Sequence, residues 1–421
     1  MDSRAHRKIS ISSVLACVAS FASANLSAGN AVLNESQTLY IDRFGDVARV
    51  VNTLSGDDRA NASAISGFPI AAWFTGGTPA EVRAKVSKLI AAAGAENKVP
   101  VLVAYNVPFR DCAQYSAGGA KDTAAYKAWI DGVAAGIGQG RAVVLLEPDG
   151  LGIIPHHTDI NGKKEWCQPA ELNAATAASD RYEQINYAVD TMSKLKNTVV
   201  YLDGTHSGWL SVGDIANRLV KAGVQKTAGF FVNVSNYQFT SHLQTYGAWV
   251  TKCIHYGTNT AEGGWRVGHF ERCVSPPSPA KPGDFDFGSM TDRWFTDNVD
   301  HAANAPTPKT LKHFVVDTSR NGRGPWIATA NKYSDPQVWC NPPGRGIGDR
   351  PTTRTGDPLL DAKLWVKVPG ESDGQCTRGT SGPADPERGM IDPPAGRWFK
   401  EQAEELIRFA QPALTITRPN Q

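Results

Sequence analysis

Ala142-Val143-Val144-Leu145-Leu146-Glu147-Pro148-Asp149-Gly150 is the stretch that decides how the chain folds. An apolar, β-prone run ends in two carboxylates with Pro148 between them. It reads as a strand, Ala142–Glu147, that opens onto a polar loop. The pattern recurs in both directions from this stretch. Further strands are expected at Phe68–Phe74, Val101–Tyr105, Thr198–Asp203, Gly229–Val234, His313–Asp317 and Leu364–Lys367. Helical spacing fills the gaps. Thr78 can cap a helix, Pro79 suits its first turn, and Val82, Val86, Leu89 and Ile90 follow on one face. Other helices are expected near Ala124–Ile137, Pro169–Leu195, Val212–Ala222 and Trp398–Ala410.

Strands alternating with helices mean a parallel sheet, either a barrel or an open doubly wound sheet. The polar residues favour the barrel. Strand ends carry Trp73, Tyr105 with Asp111, Glu147 with Asp149, Asp203, Asn233 with Asn236, Asp317, and Lys367 with Glu371 and Asp373. In a closed α/β barrel all C-terminal strand ends meet on one face. An open sheet gathers them only at its switch point. Chemistry at so many ends is therefore expected of an α/β fold of about seven parallel strands with barrel-like closure.

The 421 residues are 41% hydrophobic, enough for a large core. Eleven tryptophans are a small clue toward sugars, although most are expected in the core. The N-terminus reads as a signal peptide over residues 1–24. Arg4, Arg7 and Lys8 precede a short apolar run, Ile9 to Phe21, and Ala22-Ser23-Ala24 suits cleavage. That run is too short and too Ser-rich to span a membrane. Without it, 40 basic and 40 acidic residues remain of the 43 and 41 in the full chain. A formally neutral chain argues against nucleic acid or an anionic membrane as partner.

Six cysteines remain: Cys112, Cys167, Cys253, Cys273, Cys340 and Cys376. An even number in an exported chain implies disulfides. Sequence order favours Cys112–Cys167, Cys253–Cys273 and Cys340–Cys376, each closing a local loop. Residues 25–421 read as one catalytic domain, with a disulfide-braced insertion at Gly247–Thr307 and a Pro/Gly-rich loop at Gly374–Arg397.

Three segments carry the chemistry. Tyr105-Asn106-Val107-Pro108-Phe109-Arg110-Asp111-Cys112 leads to Ser116-Ala117-Gly118-Gly119; Glu147-Pro148-Asp149 ends its strand; and Lys367-Val368-Pro369-Gly370-Glu371-Ser372-Asp373 closes the series. Arg110 and Asp111 alone could be a structural ion pair, and Glu147 and Asp149 could be solvated loop carboxylates. Together they put several carboxylates on one rim, as glycosidic cleavage requires.

At this point the chain resembles glycoside hydrolase family 6, the cellulases with endoglucanase and cellobiohydrolase members. The Tyr-x-x-Pro-x-Arg-Asp-Cys and Glu-Pro-Asp motifs are intact. The resemblance continues through Asp203-Gly204-Thr205-His206-Ser207-Gly208-Trp209, Asn233 to Asn236, Asp317 to Gly322, Trp339-Cys340-Asn341 and Lys367 to Asp373. It implies a distorted, incomplete TIM-like barrel and an inverting β-1,4-glucanase. Asp149 matches the general acid. Asp111 matches the neighbour that raises the acid's pKa and organises the water. Asp373 matches the residue proposed as base, a role also argued for a water relay through Asp111. Tyr105 would distort the sugar ring. Lys367, Glu371, Asp203, His206 and Asn236 match residues that hydrogen-bond sugar hydroxyls. Trp73, Trp209 and Trp339 match stacking platforms. Gly204-Thr205 departs from the Ala-Gly usual between that Asp and His.

His156-His157 lacks companion ligands, and Gly344-Arg345-Gly346-Ile347-Gly348 opens no clear helix, so neither a metal nor a cofactor is expected. Cys376 follows Asp373 closely, which suggests a short pinned loop, an open cleft and endo action. Gly374–Arg397 and Ala330–Gln337 add length and keep a cellobiohydrolase tunnel as the alternative. A non-catalytic glucan-binding protein would not need this carboxylate set. The expectation is a secreted monomer acting on a β-1,4-linked glucan chain, with no nucleic-acid or membrane partner.

Overall fold

The computed structural model describes residues 33–276 and 289–416. The expected leader, residues 1–24, lies outside the described residues. In chain order the elements are α1 (Asp46–Val51), α2 (Gly56–Ser66), β1 (Ala72–Phe74), α3 (Pro79–Ala95), β2 (Val101–Ala104), α4 (Thr123–Ile137), β3 (Ala142–Leu146), α5 (Ala177–Met192) and β4 (Thr198–Asp203). Then follow α6 (Val212–Lys221), β5 (Gly229–Val232), α7 (Thr240–Thr258), α8 (Ser289–Phe295), β6 (His313–Asp317), β7 (Leu360–Leu364) and α9 (Lys400–Arg408).

Seven parallel strands pair in sequence order, β1 to β7. The sheet curls until its ends almost meet. Closure rests on one parallel bridge, Ile70 with Trp365, on the Ala71 amide donating to the Trp365 carbonyl at 3.0 Å, and on the Trp73 indole donating to the Val366 carbonyl at 2.8 Å. This is the distorted, incomplete barrel expected from the sequence.

Alternation along the strands builds two cores. Val103, Val143, Leu145, Val199, Tyr201, Phe231 and Val315 point into the barrel. Leu102, Val144, Leu146, Val200, Leu202, Phe230 and Val316 point outward and pack under the helices. Thr78 caps α3 as expected: its hydroxyl accepts from the Glu81 amide, and the Glu81 carboxylate accepts from the Thr78 amide.

Several elements differ from their expected bounds. The seventh strand is Leu360–Leu364, not Leu364–Lys367. Asp361 and Lys363 disguise it. Asp361 is buried against the Tyr201 hydroxyl and His313 Nδ1, and Lys363 reaches Asp349 at 2.7 Å. Past Leu364, the Val366 and Lys367 amides donate to the Asp317 carboxylate instead of to a strand. The first strand shortens to Ala72–Phe74. The fifth helix starts at Ala177, because Pro169–Thr176 forms turns in which Asn173 Oδ1 accepts from the Ala175 amide at 3.0 Å. The segment from Gly247 opens inside α7, whose Cys253 is bonded to Cys273. The other two disulfides join Cys112 to Cys167 and Cys340 to Cys376, the pairings that sequence order favours.

Candidate active site

Three strand-end carboxylates are structural pins. Buried Glu147 accepts from the Asn106 amide at 2.9 Å and the Val107 amide at 3.0 Å, tying β3 to the loop after β2. Asp203 accepts from the amides of Leu151, Gly152 and Thr205 at 3.2, 3.1 and 2.9 Å, tying β4 to the loop after β3. Asp317 accepts from Ser235, Ser319, Val366 and Lys367 amides at 3.2, 2.9, 3.1 and 3.0 Å, joining the loops after β5, β6 and β7. Each carboxylate satisfies amides that no strand partner reaches.

These pins set sharp turns. Glu147 and Asp149 both have left-handed φ, 53° and 62°, on either side of Pro148. Such backbone costs about 1–3 kcal/mol per non-glycine residue and persists where the surroundings hold it. The turn presents the Asp149 carboxyl to the cleft. Among the described residues, none hydrogen-bonds it. Burial raises its pKa well above the ordinary carboxylate value, and the charges of Asp203, Asp111 and Asp373 raise it further.

Asp111 stands in a second strained turn, with φ of 57°, 47° and 60° at Asp111, Cys112 and Ala113. Arg110 holds that turn without pairing with Asp111. Its guanidinium donates to the carbonyls of Tyr105, Thr75 and Ser116 at 2.6, 2.8 and 2.9 Å. The structural ion pair that adjacent Arg and Asp suggest is thus replaced by a backbone clamp. Asp111 accepts from the Ser116 amide at 3.0 Å, and burial raises its pKa to about 6.

Asp373 has the opposite environment. Its Oδ2 accepts from Arg320 at 2.8 Å, from the Asn341 amide at 3.0 Å and from the Tyr237 hydroxyl at 3.2 Å, while Lys367 lies 3.5 Å from Oδ1. Burial alone would raise its pKa, but Arg320 and Lys367 hold it below the ordinary value. Glu371, nearby but without such a clamp, is pushed up to about 7 by burial, against the pull of Lys367.

The carboxylates face a cleft of about 1080 Å³. Trp73, Tyr105, His206, Trp209, Asn236, Trp339, Lys367 and Glu371 line it together with Asp111, Asp149 and Asp373. Trp73 meets Tyr105 edge-on at 5.6 Å. Trp209 lies over Gly152, where a Cβ would come within 2.4 Å of the indole. Burial lowers the His206 pKa to about 4. Its Nδ1 accepts from the Gly208 amide at 3.1 Å, so the neutral ring carries its proton on Nε2. Aromatic faces beside hydroxyl-seeking polar groups make a surface for pyranose rings, and paired carboxylates at different pKa values can supply acid and base.

The sequence profile of "Glycosyl hydrolases family 6" matches residues 34–410. The chain belongs to glycosyl hydrolase family 6. Endoglucanase A from Cellulomonas fimi is 32% identical over 373 residues, 88% of this chain and 61% of that protein. Endoglucanase A from Thermobispora bispora is 33% identical over 368 residues, 86% of this chain and 64% of that protein. The chain thus spans about three-fifths of the length of these curated relatives. A probable 1,4-β-D-glucan cellobiohydrolase C from Aspergillus fumigatus is 30% identical over 384 residues, 84% of this chain and 71% of that protein. The solved endoglucanase Cel6 from Mycobacterium tuberculosis, in complex with methyl-cellobiosyl-4-deoxy-4-thio-β-D-cellobioside, superposes with a TM-score of 0.63 at 28% identity, covering 91% of this chain and 99% of that one.

For this family 6 chain, the residues expected at the site gather in one cleft, with Asp203 the exception. It lies beneath the cleft floor, its oxygens taken by three amides, and acts on Asp149 through charge rather than by facing a ligand. Sequence reasoning passed over Arg320, Tyr237 and Asn341, which hold Asp373. It also passed over Tyr115, which packs 5.8 Å from Trp339 and occupies the space a Cβ on Gly374 would need. Arg320 and Asn341 both lie within stretches that resemble the family, and an arginine three residues after the strand-end Asp317 was the available signal. Trp166, Trp326, Phe239 and Ile327 also line the cleft. Away from it, His156 bonds Gln168 and the Pro169 carbonyl, and His157 packs against Tyr182. Among the described residues, Cys376, Asp385 and Asp392 cluster closely enough to suggest a metal. Cys376 is in a disulfide and Asp385 pairs with Arg378, so the cluster does not fit one.

Proposed function

We propose that this protein hydrolyses β-1,4-linked glucan with inversion, cutting internally along the chain. The observation that carries the reading is Asp149, a carboxyl kept protonated by burial and three neighbouring carboxylates in an aromatic-lined cleft. It donates its proton to the leaving glycosidic oxygen. A water attacks the anomeric carbon from the opposite face and loses a proton. Asp111, at about 6, has the basicity to receive that proton through a water relay near neutral pH. Asp373 is the weaker base, because Arg320 and Lys367 stabilise its ionised form. Its fixed negative charge suits the oxocarbenium character of the transition state. Trp73, Trp209 and Trp339 would stack glucosyl rings, and Lys367, Glu371, His206 and Asn236 would bond their hydroxyls.

Endo action is supported by the exposure of the cleft lining. Ile327 is 65% exposed, and Phe239 and Val338 are each 42% exposed, so none of the described residues roofs them. One contact favours the cellobiohydrolase reading: the Tyr115 hydroxyl reaches Gln337 at 3.4 Å and straps one short part of the cleft. The leader-like N-terminus and the three disulfides support secretion. No helix of the described residues is long and apolar enough to cross a membrane.

Viscosity and reducing ends followed together on carboxymethyl cellulose test the reading. Internal cutting lowers viscosity quickly with few new ends. New ends without viscosity loss would favour the tunnel instead. The product from a β-linked chain should appear first as the α-anomer, and a β-anomer would remove inversion.

A further inference from the structure

We propose that Trp166 is an additional glucosyl-binding platform at the edge of the cleft, built by the long loop that follows β3. The proposal rests on the glucan-hydrolase reading and deepens it. Trp166 lines the cleft with Trp209 and is 56% exposed, so much of its indole is open to a ligand in the cleft.

The residues on both sides of it are fixed. Cys167 is bonded to Cys112, next to Asp111. The carboxylate of Glu165 pairs with the fully buried Arg218, which also holds Asp214 at 2.7 Å and the Leu151 carbonyl at 2.8 Å. The Glu165 amide donates to the His157 carbonyl at 3.0 Å, and the His156 amide to the Cys167 carbonyl at 2.9 Å. Beyond them Thr158 and Lys164 form an antiparallel bridge. Asp159 closes the turn by accepting from the Asn161 and Lys163 amides, each at 2.8 Å.

An indole between two anchored neighbours loses little backbone freedom when a ring lands on it. Its apolar face matches the C–H face of a pyranose and needs no charge. Because it shares the cleft with Trp209, the ring it takes belongs to the same chain, as one more subsite beside those of the other platforms. Long chains should therefore gain from it and short ones should not.

The test compares kcat/KM on cellohexaose and cellotetraose for the wild type, Trp166→Ala and Trp166→Phe. Trp166→Ala should lower the long-to-short ratio by about fivefold to tenfold, mainly through KM, and Trp166→Phe should restore most of it. An unchanged ratio would overturn the platform. In parallel, calorimetric titration of cellohexaose into Asp149→Asn should show a Kd that weakens when Trp166→Ala is added; an unchanged Kd also overturns it. A wild type that cuts neither sugar sinks the hydrolase reading, and the titration then still decides the platform.

Discussion

On the β2–β4 side of the cleft, Asp111, Asp149 and Asp203 crowd together without a cation pairing with any of them. On the β6–β7 side, Asp373 sits between Arg320 and Lys367. All four carboxyls are buried or half-buried, and burial pushes every one of them up. On the first side nothing reverses that push, so Asp111 and Asp203 reach about 6 and Asp149 rises well above its ordinary value. On the second, two cations overcome it. A carboxylate's role in this cleft is therefore set by its counter-charge rather than by its depth. On the first wall Asp149 stores the proton, and on the second Asp373 keeps a fixed negative charge.

The largest effect should come from taking the proton away. Asp149→Asn keeps the shape of the side chain and removes the acid. Hydrolysis of unactivated glucan should fall by about 10²–10⁴-fold, with oligosaccharide binding retained in a calorimetric titration. Substantial turnover by this variant would mean that the proton-storing wall is not the source of the acid.

Next comes the opposite wall. Arg320→Met leaves Asp373 buried with only Lys367 to compensate it. Removing one partner of a buried pair costs about 3–5 kcal/mol, to be read as a shift in the urea midpoint at neutral pH. Adding Asp373→Asn removes the stranded charge and should recover part of the loss. A cost under about 1 kcal/mol would show that Arg320 is not the counter-charge that sets this wall apart.

The sequence revealed the barrel because its strands end in chemistry, and it revealed the cleft because those ends converge. It could not sort the carboxylates. Glu147, Asp203 and Asp317 look like Asp149 in a list of strand ends, yet their oxygens are spent on backbone amides. Those amides belong to neighbouring loops far away in sequence, so no local pattern announces them. The same holds for Asp361, which broke the apolar run of β7 and moved its expected position by four residues. Its partners Tyr201 and His313 lie on two other strands. Arg320 is clearer in hindsight, but its distance to Asp373 depends on how the loops after β6 and β7 fold together.

The subtlest effect is on the pH profile, and its sign follows from the same contrast. If Asp111 receives the proton of the attacking water, as proposed, kcat/KM for the free enzyme should rise as pH climbs through about 6. With Asp149 as the proposed acid, it should fall again at higher pH, when that carboxyl gives up its proton. These limbs belong to the interacting pair rather than to either residue alone. Asp111→Asn removes one of the charges that raise Asp149, so the residual activity should lose its acid limb and its alkaline limb should move to lower pH. Asp373→Asn removes another such charge and should move the alkaline limb the same way. It should leave the acid limb in place, since Asp373 is already ionised throughout this range. An acid limb that vanishes with Asp373→Asn and survives Asp111→Asn would exchange the roles of the two walls and make Asp373 the base.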